Sequence, residues 1–158
     1  MLEPGEIIQL LISNFQFPTF NMKRFEEIPH TADWSFRAFG KNVAELFENA
    51  AFAIFAMQGG LKCVSDGAKE TARAVEASGI DYESLLVNWL SELLYLQESN
   101  REIYHRFQID KLSPTALRAR VFGTPYRKLD KLIKAVTYHN LKIEKTPKGW
   151  EVVVVVDV

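Results

Sequence analysis

Five consecutive valines, Val152 to Val156, constrain the fold more than any other stretch. β-Branched side chains crowd a helix and suit a pleated strand. An unbroken apolar run offers no polar face to water. It therefore predicts a strand buried on both faces, central in its sheet and covered by helix. Pro147-Lys148-Gly149 just before it reads as a hairpin turn, with residues 133–145 as the partner strand.

Two helices are legible upstream. Asn42 reads as an N-cap with Glu45 three residues on, and Val43, Leu46, Phe47, Ala50, Ile54 and Met57 follow at helical spacing. Gly59-Gly60 supplies the stop. Asp81 caps a second helix whose stripe is Leu85, Leu86, Trp89, Leu90, Leu93 and Leu94, ending near Asn100. Such a stripe reads as core rather than as a partner groove.

Trp34 to Phe39 alternates, with Trp34, Phe36 and Ala38 on one side and Ser35 and Arg37 on the other. That is the period of a half-buried strand, which Gly40 ends. Residues 68–77 form a weaker strand pattern. Residues 103–111 and 115–122 read as a strand pair around Ser113-Pro114, followed by a turn at Gly123-Thr124-Pro125. Helices and strands do not alternate strictly. The expectation is an α+β fold, a mixed and mostly antiparallel sheet with two main helices packed against it.

The 158 residues suit one domain. Residues 1–21 read as an N-terminal extension, and Met22-Lys23-Arg24-Phe25 as a fresh start, so a single domain is expected over 22–158. A formal net charge of -1 argues against a strongly basic nucleic-acid binder. Arg118, Arg120, Arg127, Lys128, Lys131 and Lys134 lie in a short stretch, but read as a solvated strand face and turn. Cys63 is the only cysteine, which excludes an internal disulfide and a cysteine-based zinc site. Its neighbours Lys62, Val64 and Asp66 do not single it out as a nucleophile, so it reads as core filler. No apolar run reaches the roughly 18 residues of a membrane span. The apolar run Ile7 to Ile12 follows Glu3 and Glu6 rather than the basic residues of a signal peptide. The expected compartment is the cytoplasm.

Two places could carry chemistry. Asp157 follows the valine run, with Val158 and a terminal carboxylate beyond it. Close like charges raise each other's pKa unless a cation compensates, and a hard divalent cation prefers oxygen ligands. Taken alone, Asp157 reads as a solvated end. His30-Thr31-Ala32-Asp33 follows Pro29 and precedes a strand, gathering an imidazole, a hydroxyl and a carboxylate. Asp33 could ligate a metal and His30 accept a proton, while turn hydrogen bonding by Thr31 and Asp33 is the commoner use. His139, on a predicted strand, reads as structural, and His105 carries no assigned role. Nucleotide-binding glycine loops, Gly-x-Ser-x-Gly and His-Glu-x-x-His are all absent.

Several ordered pieces together resemble the archease family. They are Ile28-Pro29-His30-Thr31-Ala32-Asp33, Phe39-Gly40-Lys41, Glu45-Leu46-Phe47-Glu48-Asn49-Ala50-Ala51, Leu85-Leu86-Val87-Asn88-Trp89-Leu90, Ile133-Lys134-Ala135-Val136-Thr137-Tyr138-His139 and Val156-Asp157-Val158. The resemblance runs from about Lys23 to Val158. It implies an accessory protein of an RtcB-type RNA ligase, acting in tRNA splicing and RNA repair. Such a protein promotes ligase guanylylation and multiple turnover and has no settled reaction of its own.

The resemblance also implies a divalent metal, Ca²⁺ first, with Mg²⁺ or Mn²⁺ as alternatives. Its ligands would be Asp33, Asp157 and a main-chain or terminal oxygen of Val158. His30, Thr31, Lys134 and His139 are candidates for roles beside it. RNA contact would be indirect, no membrane is involved, and the oligomeric state is not implied. One departure stands out. Where the family often reads Gly-Glu, followed by an Asp and a His, this chain has Gly123-Thr124-Pro125-Tyr126-Arg127. Two other readings stand beside the ligase activator: a metal-dependent phosphoester hydrolase using Asp33, Asp157 and His30, and a general chaperone or adaptor of RNA-processing enzymes.

Overall fold

A computed structural model describes Glu3, residues 23–29 and residues 33–158. The expected extension, apart from Glu3, and the candidates His30 and Thr31 lie outside the described residues.

The strands are β1 (Phe25–Ile28), β2 (Trp34–Gly40), β3 (Thr71–Ser78), β4 (Glu102–Leu112), β5 (Ala116–Pro125), β6 (Ala135–Thr137), β7 (Ile143–Thr146) and β8 (Gly149–Asp157). The helices are α1 (Val43–Met57) and α2 (Tyr82–Asn100). The class is α+β as expected, but the strands form two sheets. One has five strands, in the order β1-β2-β8-β6, with β7 also paired to β8; the other has the order β3-β5-β4. Every pairing among the described strands is antiparallel. α1 packs on β2 and β4, and α2 on β3 and β6, so each helix touches both sheets.

Local chemistry sets the helix limits. The Asn42 side chain accepts from the Glu45 N–H at 2.8 Å. The Asp81 side chain accepts from the Ser84 N–H at 2.8 Å, and Ser84 Oγ accepts from the Asp81 N–H at 3.1 Å. This is a reciprocal capping box with serine in the returning position. Gly59 and Gly60 follow α1 at φ +126° and +55°, where a side chain would be strained. Leu85, Leu86, Trp89, Leu90 and Leu93 are fully buried, so the stripe of α2 is core. Phe55, Tyr104, Phe107 and Trp89 form an aromatic chain at the centre, with ring centroids 5.5–6.5 Å apart.

Three local expectations are corrected. The valine strand is central, between β2 and the β6/β7 edge, but only Val152, Val154 and Val156 are buried; Val153 and Val155 are partly exposed. The helices cover one face of this antiparallel sheet, and the other is only partly shielded. Gly123-Thr124-Pro125 is no turn. It continues β5, with Gly123 between Thr71 and Tyr104. A Cβ on Gly123 would sit 2.4 Å from the Ile103 carbonyl oxygen, so this glycine serves close strand approach rather than a bend. Residues 133–145 are not one strand. The chain leaves β6 after Thr137 and turns at Tyr138 to Leu141, with Asn140 at φ +51°, before β7. The predicted hairpin does form from β7 to β8, with Thr146 opposite Gly149.

Candidate functional site at the end of the five-stranded sheet

The β2–β8 register brings the two candidate aspartates to one place. Trp34 lies opposite Val156. Asp33 directly precedes Trp34 and Asp157 directly follows Val156, so both lie next to the last pair of this ladder. Both aspartates are exposed, and Val158 is 46% exposed. On the other edge of β8, Ala135 pairs with Asp157, and the Lys134 N–H donates to the Asp157 carbonyl at 2.7 Å. The Asp157 backbone is thus fixed in a ladder while its carboxylate faces water. The Lys131 ammonium lies 4.6 Å from the Trp34 ring centroid, so a cation stands beside this end of the sheet. The Trp34 indole N–H donates to Glu27.

The donor chemistry suits a hard cation. Two carboxylates and the main-chain oxygen of Val158 are oxygen donors only, as Ca²⁺ and Mg²⁺ prefer. The Asp157 carbonyl already accepts from Lys134. Among the described residues no three His, Cys, Asp or Glu side chains gather to hold a metal. A cation held there would take its remaining ligands from water or from other oxygens.

Lys134 adjoins the pair through its backbone. His139 does not: β6 runs away from Asp157, and His139 lies exposed in the turn beyond, its Nε2 3.2 Å from Asn140 Nδ2. His139 does not lie on a strand as expected, because β6 ends at Thr137. Cys63 is buried as filler. Within the basic stretch, Arg118 pairs with Glu76, Arg120 with Asp110 and Arg127 with Asp66. These neutral pairs fit the solvated-face reading.

Two polar clusters escaped sequence reasoning. Glu102 is 3% exposed and receives Arg73 at 2.7 Å, the Tyr104 hydroxyl at 3.3 Å and the Thr71 hydroxyl. Burial, with the Glu102 charge adding, pushes the Tyr104 hydroxyl up to about 12. The second is the buried amide pair Gln58–Gln97. Its signal was present: Gln97 continues the Leu90, Leu93, Leu94 spacing, and a polar residue on a buried stripe needs a partner.

Thr124, where the family pattern has an acidic residue, is buried, and among the described residues its hydroxyl has no partner. Thr124→Val keeps the shape and removes an unpaired polar group. It is expected to raise stability by about 1 kcal/mol in urea unfolding; a loss of that size would contradict the burial assigned to the hydroxyl.

Residues 25–158 match the model of the archease protein family (MTH1598/TM1083). A protein archease of Methanosarcina mazei is 42% identical over 144 residues, covering 86% of this chain and 97% of its own length. One from Pyrococcus abyssi is 37% identical over 149 residues, covering 87% of this chain and all of its own. The solution structure of Methanobacterium thermoautotrophicum protein 1598 superposes with a TM-score of 0.63 at 29% identity, over 87% of this chain and 100% of that one. The crystal structure of an archease from Thermotoga maritima, described as a possible chaperone, shares the fold at a TM-score of 0.60 and 24% identity, over 87% of this chain and 98% of that one.

Proposed function

The chain belongs to the archease family, and on that premise we propose that it activates an RtcB-type RNA ligase, promoting guanylylation and multiple turnover in tRNA splicing and RNA repair. In this reading Asp33, Asp157 and the main-chain oxygen of Val158 hold a divalent cation, Ca²⁺ first, with Mg²⁺ or Mn²⁺ as alternatives. The observation that supports it is the strand register, whose last β2–β8 pair, Trp34–Val156, has the exposed Asp33 and Asp157 as its immediate neighbours in sequence. A bound divalent ion supplies positive charge for phosphate or nucleotide oxygens. The chain's own residues do the holding: the two carboxylates bind, and the Lys134 N–H keeps the Asp157 backbone in register. The protein is then an accessory factor rather than an enzyme. It works beside a cytoplasmic ligase and touches RNA only through that partner.

The test is a joining assay with a cognate ligase in limiting amount, GTP and a divalent metal. The unaltered protein is expected to raise multiple-turnover joining. Asp33→Ala and Asp157→Ala are each expected to fall to the rate of ligase alone, while keeping the circular dichroism and melting temperature of the parent. Full stimulation by both variants contradicts the metal-site reading. Suppression of aggregation by unrelated client proteins, unaffected by Asp33→Ala, favours a chaperone instead.

A further inference from the structure

Gln58 is fully buried at the end of α1, and Gln97, on α2, is 1% exposed. Their amides bond reciprocally: Gln58 Nε2 donates to Gln97 Oε1 at 2.7 Å, and Gln97 Nε2 donates to Gln58 Oε1 at 2.9 Å. Gln58 Nε2 also donates to the Ile54 carbonyl at 3.0 Å. The orientation of the Gln58 amide is therefore fixed from two sides. It has a further acceptor role outside the helices. Gln58 Oε1 accepts from the Ile133 N–H at 3.0 Å, and the Gln58 main-chain carbonyl accepts from the Asp130 N–H at 2.9 Å.

One residue thus grips both ends of the segment Asp130–Ile133. The next N–H along the chain, that of Lys134, donates to the Asp157 carbonyl. The bonds run without a gap from the helix pair to the end of β8. Ile133 is 2% exposed, so its N–H has no water to fall back on when the Gln58 acceptor is removed.

We propose that Gln58, oriented by Gln97, is the positioning residue of the acidic site: it fixes Asp130–Ile133, so that Lys134 holds Asp157 where its carboxylate meets that of Asp33. The proposal rests on the reading above that this sheet end binds a divalent cation. Gln58 touches no metal. It acts through the backbone that carries a ligand, as outer partners of metal ligands do, and their loss weakens metal binding about 10–100-fold.

The test uses Tb³⁺ luminescence as a calcium probe, together with amide hydrogen exchange at Lys134, on the full chain and three variants. Gln58→Met removes the acceptor for Ile133. Gln97→Met breaks the amide pair but leaves that acceptor in place. Val75→Ala, in the core of the other sheet, is a destabilised control. Gln58→Met is expected to raise the Tb³⁺ dissociation constant about tenfold or more and to speed exchange at Lys134. Gln97→Met is expected to do less of both. Val75→Ala should lower the melting temperature without moving the Tb³⁺ constant. Unchanged Tb³⁺ affinity in Gln58→Met overturns the proposal, as does an equal loss in Val75→Ala. If the unaltered chain binds no Tb³⁺, the metal reading falls. The Lys134 amide then decides alone: faster exchange in Gln58→Met supports the positioning role, and unchanged exchange overturns it.

Discussion

Trp89→Ala is expected to cost about 3–5 kcal/mol of folding stability. Trp89 is fully buried on α2, and its indole N–H donates to the Phe47 carbonyl of α1 at 3.0 Å. Its ring meets Phe107 of β4 edge-on at 6.5 Å. A single side chain therefore ties both helices to the smaller sheet. Truncation loses its burial, its hydrogen bond and one ring of the aromatic chain, and leaves a void too large for the neighbours to fill. A domain of this size is stable by about 5–15 kcal/mol, so the variant keeps only part of its margin. Urea unfolding followed by circular dichroism measures the change without relying on the lost fluorophore. A cost below about 1 kcal/mol, under the range for aromatic truncation, would contradict the place given to Trp89.

Gly123→Ala is the second large effect, expected at about 3 kcal/mol, the upper end of the range for overpacking. The added methyl would lie 2.4 Å from the Ile103 carbonyl oxygen and 2.6 Å from the Tyr104 ring. The first is backbone, so the β4–β5 ladder itself must open. Thr71 and Tyr104, both bonded to Glu102, lie opposite Gly123 on the flanking strands, so opening the ladder also strains the buried Glu102 cluster. Urea unfolding checks this too, and a variant as stable as the parent would show that the strands can separate there without penalty.

Both positions bear on what the sequence could disclose. Trp89 was legible as core, because it sits in an apolar stripe bounded by a cap at Asp81 and an end near Asn100. Gly123 reads as a turn in the sequence, because a glycine two residues before a proline punctuates chains more often than it lines a strand. Only the neighbouring strand, distant in sequence, reveals that the missing Cβ makes room. The stretch 133–145 misled for a related reason. Its apolar residues satisfy strand periodicity, and the left-handed backbone at Asn140 that breaks it leaves no strong mark on the pattern. The strands pair into two sheets rather than one, with each helix touching both, a tertiary arrangement that periodicity does not encode.

The site divides in the same way. Asp33 and Asp157 were each visible as carboxylates beside strand ends, and motif resemblance joined them. That they lie at the same end of the sheet depends on the β2–β8 register, a pairing across most of the chain that no local pattern specifies. His139 came with the same motifs, and the chain carries it away because β6 runs from Asp157 back along β8. Gln58 gave no local sign. Its role depends on meeting Gln97 and Ile133, 39 and 75 residues further on.

A crystal structure of the protein soaked with calcium tests the central claim most directly. One ion bound jointly by oxygens of Asp33, Asp157 and Val158, at about 2.3–2.6 Å, is the predicted result. An ion bound elsewhere, or no density between the two aspartates at a calcium concentration that saturates the protein in solution, would contradict it.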